Sequence, residues 1–309
     1  MKQLFTVIVA LLALLAADAK PAKEVPLRVG TYNVWSHSAR EAKILRGHHA
    51  PESRLWPVAR ESVVDLMVKL DCDIMGLQEV TSVCRDDIRR LLRKRGGKKY
   101  TLFWLNSYPE GHKNVVGNSI LYNKKELKLI SPRLFWLSPT PEVMSTGWDC
   151  KRHYRTAMAA TVLHKKSGRK FFFIATHGPL KRGASANAAH VLVDIDRKYN
   201  TEGLPTIVVG DMNAWPSQPF LATMTEYYED SFEVAKKRCG TNGTYAGAGE
   251  YVKYLPSLRR RIDHIYVHSS DKGKIEVHDY TVNKDKYEMG GRRHYPSDHN
   301  PVYVNLTIK

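Results

Sequence analysis

Residues Pro205 to Asn213 read "PTIVVGDMN", and the reading of this stretch decides the fold. Thr206 to Val209 form a short apolar, β-branched run, the signature of a strand. Two polar residues, Asp211 and Asn213, follow directly at its end. If extended backbone continues through them, residues two apart project to the same side, and both face one space.

The same unit recurs along the chain. Strands are predicted at "LRVGTYNV", "DIMGLQEV", "YTLFWLN", "GNSILYN", "LKLISPRLFWL", "TAMAATVLHK", "KFFFIATH", "PTIVVGDMN", "RIDHIYVHS", "IEVHDYTVN" and "PVYVNLTI". Helical patterns lie between them. Glu52 to Leu70 places Leu55, Val58, Val63, Leu66 and Leu70 on one face, Ser82 to Arg95 runs up to Gly96 and Gly97, and a third helix is expected from Ala184 to Tyr199. So many strands do not fit one tidy sheet. Two mixed sheets packed face to face with helices outside, an α/β (α+β) four-layer sandwich, accommodate them. No repeat, low-complexity tract or Pro/Ser-rich linker divides residues 20–309, which read as one domain.

Polar residues collect at the strand ends. Asn33 closes "VGTYNV", Glu79 closes "IMGLQE", His177 closes "FFFIATH", Asp263 and His264 interrupt "RIDHIYV", and Asp298 with His299 precedes "PVYV". A charged or amide group beside an apolar strand faces desolvation and needs a partner or a metal. Asn33 and Glu79 offer hard oxygen ligands of the kind magnesium or calcium takes. Asp211 and Asn213 suit the orientation of a water and the holding of a phosphate oxygen. His177 and His299, with carboxylates nearby, suit the stabilisation of a charged phosphate and protonation of a leaving oxygen, and Asp263 is placed to orient His299. Together they describe metal-assisted phosphoester hydrolysis.

The ordered series "TYNVW", "GLQEV", "GNSILY", "GWDCKRHYRTA", "IATHGPL", "VVGDMNAWP", "RIDHIYV" and "SDHNPV" resembles the endonuclease/exonuclease/phosphatase superfamily, founded on deoxyribonuclease I. The resemblance covers the chain from about Leu27 to its end. It implies the deoxyribonuclease-like fold, with Asn33 and Glu79 serving the metal and Asp298 a metal-side or water-orienting acid. It also implies Asp211 and Asn213 positioning nucleophile and phosphate, His177 and His299 as the catalytic imidazoles, and Asp263 supporting His299. Arg155, in "RHYRTA", matches a family arginine near the scissile phosphate, with Arg152 close by. The segment "FWLSPTPEVMSTGWD" resembles bacterial exported members. Those members commonly follow "TH" with Leu, Asp and a helix arginine. This chain instead has "THGPLKRGASANAAH", a departure that bears on substrate placement beside His177.

Composition narrows the rest. The 309 residues are 43% apolar, ordinary for a globular protein and incompatible with a disordered or collagen-like chain. Residues 1–19 combine Lys2, an apolar run from Leu4 to Ala17 and the triplet Ala17, Asp18, Ala19. They read as a secretory signal peptide, giving an exported protein, periplasmic or extracellular, without a stable membrane anchor and expected to be a monomer. Of the four cysteines, Cys72, Cys84, Cys150 and Cys239, an exported protein can keep disulfides, and three pairings stay open. Their spacing does not match a structural zinc site.

Lysine and arginine outnumber acids by 48 to 31, for a formal charge of +17, a field that attracts polyanions. The basic runs are Arg89 to Lys99 and Arg259 to Arg261. The sequence therefore predicts an exported phosphodiesterase dependent on magnesium, with manganese or calcium as alternatives, and nucleic acid as substrate. The rival expectations are a sphingomyelinase-like phospholipid phosphodiesterase, an inositol-phosphate phosphatase and a non-catalytic binding protein on the same fold. His48 and His49 form a loop dyad, Trp148 and Trp215 adjoin the candidate segments, and Asn242 and Asn305 open N-x-S/T sequons.

Overall fold

The computed structural model describes residues 24–36, 52–95, 98–110, 116–148, 154–180, 182–240, 243–247 and 261–309. The N-terminal apolar segment, His48 and His49, Cys150, Arg152 and Asn242 lie outside them.

Central strands pack different residues on their two faces, and this builds the layers. In β7 (Lys170–His177), Phe171, Phe173 and Ala175 join one core while Phe172 and Ile174 join another. Strand β8 (Thr206–Asp211) divides its side chains likewise, Ile207 and Val209 against Val208. This is the period-2 alternation of a strand with packing on both sides. Each buried phenylalanine is worth about 1.5–3 kcal/mol over an exposed one.

These strands sit in a sheet ordered β5 (Leu127–Trp136), β6 (Thr156–His164), β7, β8, β11 (Asp263–His268) and β9 (Glu229–Asp230). A second sheet runs β10 (Lys237–Cys239), β12 (Ile275–Val282), β15 (Val302–Ile308), β1 (Val25–Asn33), β2 (Ile74–Val80), β4 (Gly117–Asn123) and β3 (Tyr100–Trp104). Both are mixed: β1 with β2 and β7 with β8 are parallel, most other neighbours antiparallel. The core between the sheets holds Val29, Ile74 and Val304 with Phe173, Val209 and Ile265. Gly76 lets the sheets approach, since a Cβ there would lie 2.6 Å from Val209 Cγ2.

Helices α1 (Trp56–Leu70) and α2 (Ser82–Lys94) cover one sheet, and α3 (Arg182–Tyr199) and α4 (Pro219–Tyr227) the other. In α1 the buried residues Trp56, Ala59, Val63, Met67 and Leu70 recur every three or four positions. In α2 the Thr81 hydroxyl accepts from the Cys84 amide, a cap worth about 1 kcal/mol. The result is the predicted four-layer sandwich with three cores.

Several expectations need correction. The first helix begins at Trp56, because Glu52–Arg54 form a separate 3-10 turn, and the third extends back to Arg182. Helices α4 and α5 (Ser231–Val234), the short strands β9 and β10, and the hairpin β13 (Tyr287–Met289) with β14 (Arg292–His294) were not anticipated. Each of these last strands has only two or three residues, too few to show a period. Cys72, Cys84 and Cys239 are free thiols rather than disulfide partners. Burial pushes the Cys72 and Cys84 thiols up, so both pack as small apolar groups in the core under α1 and α2.

Candidate active site

Topology brings the polar strand ends to one edge of the sandwich. Parallel strands β1 and β2 end there with Asn33 and Glu79, and β7 and β8 end there with His177 and Asp211. Antiparallel β11 begins there, with Asp263 opposite Asp211 in register. The segment leading into β15, antiparallel to β1, carries Asp298 and His299.

The side chains then meet. Asn33 Nδ2 donates to Glu79 Oε1 at 3.1 Å and to Asp211 Oδ2 at 3.0 Å. His177 Nε2 lies 3.3 Å from Asp211 Oδ2 and His299 Nε2 3.6 Å from the same oxygen. His299 Nδ1 is 2.9 Å from Asp263 Oδ2. Asp298 Oδ1 is 4.0 Å from His299 Nε2. Asn213 donates its amide to Asp211 Oδ1 at 2.8 Å and its Nδ2 to the Gly178 carbonyl at 3.1 Å. All eight predicted polar residues thus form one connected site, and Arg155, partly exposed, sits close enough for its charge to act on His177.

Two of them reach it by backbone strain rather than by extended geometry. Asn213 has φ 50° and Glu79 φ 58°, a left-handed region that costs glutamate roughly 1–2 kcal/mol and that asparagine adopts more readily. Strand β8 stops at Asp211, so a turn and not the alternation of a strand turns Asn213 back on Asp211. Glu79 sits where the β2–β4 register shifts between Leu77 and Val80, a bulge that re-aims it. Strained residues held by their surroundings are a feature of functional sites.

The supporting residues carried little sequence signal. Ser297 donates to the Asn33 carbonyl at 2.7 Å and accepts from the His299 amide at 3.2 Å, tying β1 to the final histidine; it belongs to the quoted "SDH" segment. Thr244 Oγ1 accepts from the Ile262 and Asp263 amides, both at 3.1 Å. Tyr245 sets its ring edge-on to His299 at 5.1 Å. Arg54 lies near enough to Asp298 for its charge to count there, while burial lowers its own pKa.

Burial and charge separate the two imidazoles. Burial lowers His177, the Arg155 charge adds to the effect, and Asp211 does not fully offset them. It is the neutral ring. Burial alone would also lower His299, but the carboxylates of Asp263 and Asp211 override it and push His299 up to about 10. It is the cation. Burial works against the Asp211 charge too, yet the His299 charge, with hydrogen bonds from His177 and the Asn213 amide, holds its carboxyl far below the usual range, so it is ionised.

Glu79, Asp211, Asp263 and Asp298 are all buried or nearly so. Cationic His299 lies among them, and the Arg54 charge lies near Asp298. Buried carboxylates gathered with the Asn33 amide are the hard oxygen donors that a divalent cation takes. Glu79, Asn33 and Asp298 are the oxygen donors that would hold it. Asp211, Asp263 and His299 also bring one ligand atom each within 4.8 Å of one another.

Comparison with known proteins agrees with this geometry. The family model described as "Endonuclease/Exonuclease/phosphatase family" matches residues 30–299. Mouse nocturnin is 26% identical over 200 residues, covering 62% of this chain but only 44% of nocturnin. Among solved structures, an endonuclease/exonuclease/phosphatase family protein from Bacteroides thetaiotaomicron superposes with a TM-score of 0.79 at 24% identity, covering 94% of this chain and 97% of that one. The mannosyl-6-phosphatase of the same organism gives 0.76 at 25% identity, covering 91% and 99%. The chain belongs to the endonuclease/exonuclease/phosphatase family, whose members hydrolyse phosphoester bonds on this four-layer fold.

Proposed function

We propose that the protein is an exported, metal-dependent phosphoester hydrolase acting on the phosphate of a small phosphorylated sugar. The observation that carries the reaction class is the buried set Asn33, Glu79, His177, Asp211, Asp263, Asp298 and His299, with Asn213 at its edge. Ionised Asp211, facing His177 Nε2 at 3.3 Å, orients the attacking water, and the Asn213 side chain donates to a phosphate oxygen. Cationic His299, held by Asp263, stabilises the charge that builds on the phosphoryl group. A divalent cation, magnesium first and manganese or calcium as alternatives, would supply Lewis-acid activation at Glu79, Asn33 and Asp298.

Two considerations favour the sugar phosphate over nucleic acid. Several basic residues of the run that suggested a polyanion are paired with acids: Arg90 with Asp87, Arg95 with Glu61 and Asp65, and Lys99 with Asp71. Asp71 precedes β2 and Glu79 lies at its far end, so the Lys99 pair sits across the sandwich from the site. Arg261 is 2% exposed, bonded to Asp230 at 2.6 Å, and forms no surface patch. In addition, the likeness to the mannosyl-6-phosphatase runs almost end to end. A second reading, a nucleic-acid phosphodiesterase, draws on the +17 charge of the whole chain.

Export and a monomeric state remain our reading of the sequence. The helices among the described residues include none long and apolar enough to cross a membrane. A panel of mannose 6-phosphate, inositol phosphates, sphingomyelin, DNA and RNA at two salt concentrations decides the substrate. Turnover of the sugar phosphate, weakly dependent on salt, is expected. Cleavage of DNA or RNA that falls steeply with salt, without sugar-phosphate turnover, would establish the second reading instead.

A further inference from the structure

His264 follows Asp263 along β11, so its ring projects to the opposite face, away from the site. It is completely buried. Its Nε2 lies 3.1 Å from two backbone carbonyls, those of Ala214 and Arg261. Carbonyls only accept, so Nε2 carries the hydrogen and donates. On the other side of the ring, Nδ1 is 3.4 Å from Arg261 Nη1 and 3.5 Å from Asp230 Oδ2. Those two groups are themselves paired at 2.6 Å. The ring is therefore fixed through both nitrogens.

What it holds is the turn after β8. The Met212 amide donates to the Ile262 carbonyl at 2.7 Å, and the Ala214 carbonyl accepts from His264. The neighbours of Asn213 are thus tied to the neighbours of Asp263, and between them Asn213 takes its left-handed φ of 50°. Gly178 closes the arrangement from the side, since a Cβ there would come within 2.4 Å of the Met212 carbonyl oxygen.

We propose that His264, braced by Arg261 and Asp230, is a positioning residue for the hydrolysis: its bond to the Ala214 carbonyl keeps Asn213 turned toward Asp211. The proposal rests on the reading of Asn213 as a group that acts on the phosphate. It separates the Nε2 donor from the mere bulk of the ring. Glutamine places an amide donor near the position of Nε2, whereas asparagine reaches only the Nδ1 position and leucine donates nothing.

The test measures magnesium-supported turnover of p-nitrophenyl phosphate and bis-p-nitrophenyl phosphate by His264→Gln, His264→Asn and His264→Leu, each also in an Asn213→Ala background. Thermal melting of every variant accompanies the rates. We expect His264→Leu and His264→Asn to lose about a hundredfold in turnover, the cost of a misplaced group, and His264→Gln to recover to within about fivefold of the parent. With Asn213 already alanine, changing His264 should cost nothing further. If leucine does not fold, the glutamine and asparagine pair carries the same comparison. Equal losses for glutamine and asparagine, or an undiminished loss in the Asn213→Ala background, would overturn the proposal. Full activity of His264→Asn beside an inactive Asn213→Ala protein would overturn it while leaving the active-site reading intact. Full activity of Asn213→Ala would overturn both.

Discussion

Two buried clusters of aspartate and histidine lie back to back on β11, supplied by adjacent residues. Asp263 belongs to the site with His299 and Asp211. His264 belongs to the group of Arg261 and Asp230. Both are buried, yet their chemistry differs. In the second cluster one guanidinium matches one carboxylate: burial works against both charges, but their surroundings raise Arg261, with Asp230 first among the causes, and lower Asp230, with His264 and Arg261 as the causes, so both stay charged. In the first, carboxylates outnumber the cationic imidazole, and His177 and His299 are driven in opposite directions. Burial of charge does not by itself mark a reaction site. An unbalanced set whose members have divergent proton affinities does.

The largest effect should come from breaking the unbalanced cluster. His299→Asn keeps a donor facing Asp263 and removes the cation, so turnover should fall at least about a thousandfold, in line with losses at other catalytic imidazoles. The same variant sharpens the electrostatic account. Because folding raises His299 from 6.5 to about 10, its contribution to stability is complete below about 6.5, declines as pH rises and is gone above about 10. The His299→Asn protein should lack that alkaline decline in its urea-unfolding free energy. An equally steep decline would show that the imidazolium is not the group responsible.

Within the balanced cluster, the Arg261–Asp230 pair should respond in stability before activity, unlike His264, whose bond reaches the turn at Asn213. Arg261→Met leaves Asp230 buried without its guanidinium, a loss of about 3–5 kcal/mol, and adding Asp230→Leu should restore much of it. Turnover per folded molecule should change by less than about tenfold in both, a smaller effect than that of the histidine variant. If Arg261→Met abolished turnover without lowering the melting temperature, the division between the two clusters would be wrong.

Much of this contrast was legible in the sequence, because long strands announce themselves. Stretches such as "KFFFIATH" and "TIVVGD" carry enough apolar residues to be recognised, and of the polar residues read at the strand ends all but His264, which turns to the other face of β11, are in the site. Arg261 was not legible. In the run Arg259 to Arg261 it looks like its neighbours, and only the fold brings Asp230 to it. The Glu79 bulge and the Asn213 turn escaped for a related reason: both residues can continue a strand, and register against a distant neighbour decides that they do not. Contacts such as Tyr245 on His299 and Thr244 on Asp263 likewise join segments remote in sequence.

The central claim is that the buried carboxylates, with Asn33, take a divalent cation for phosphoester hydrolysis. The most direct measurement is turnover of mannose 6-phosphate and bis-p-nitrophenyl phosphate by protein stripped with EDTA, then titrated with magnesium. The account predicts that the stripped protein is inactive and that magnesium restores turnover to the parent but not to Glu79→Gln. Full turnover by the stripped protein, or equal restoration in Glu79→Gln, would contradict it.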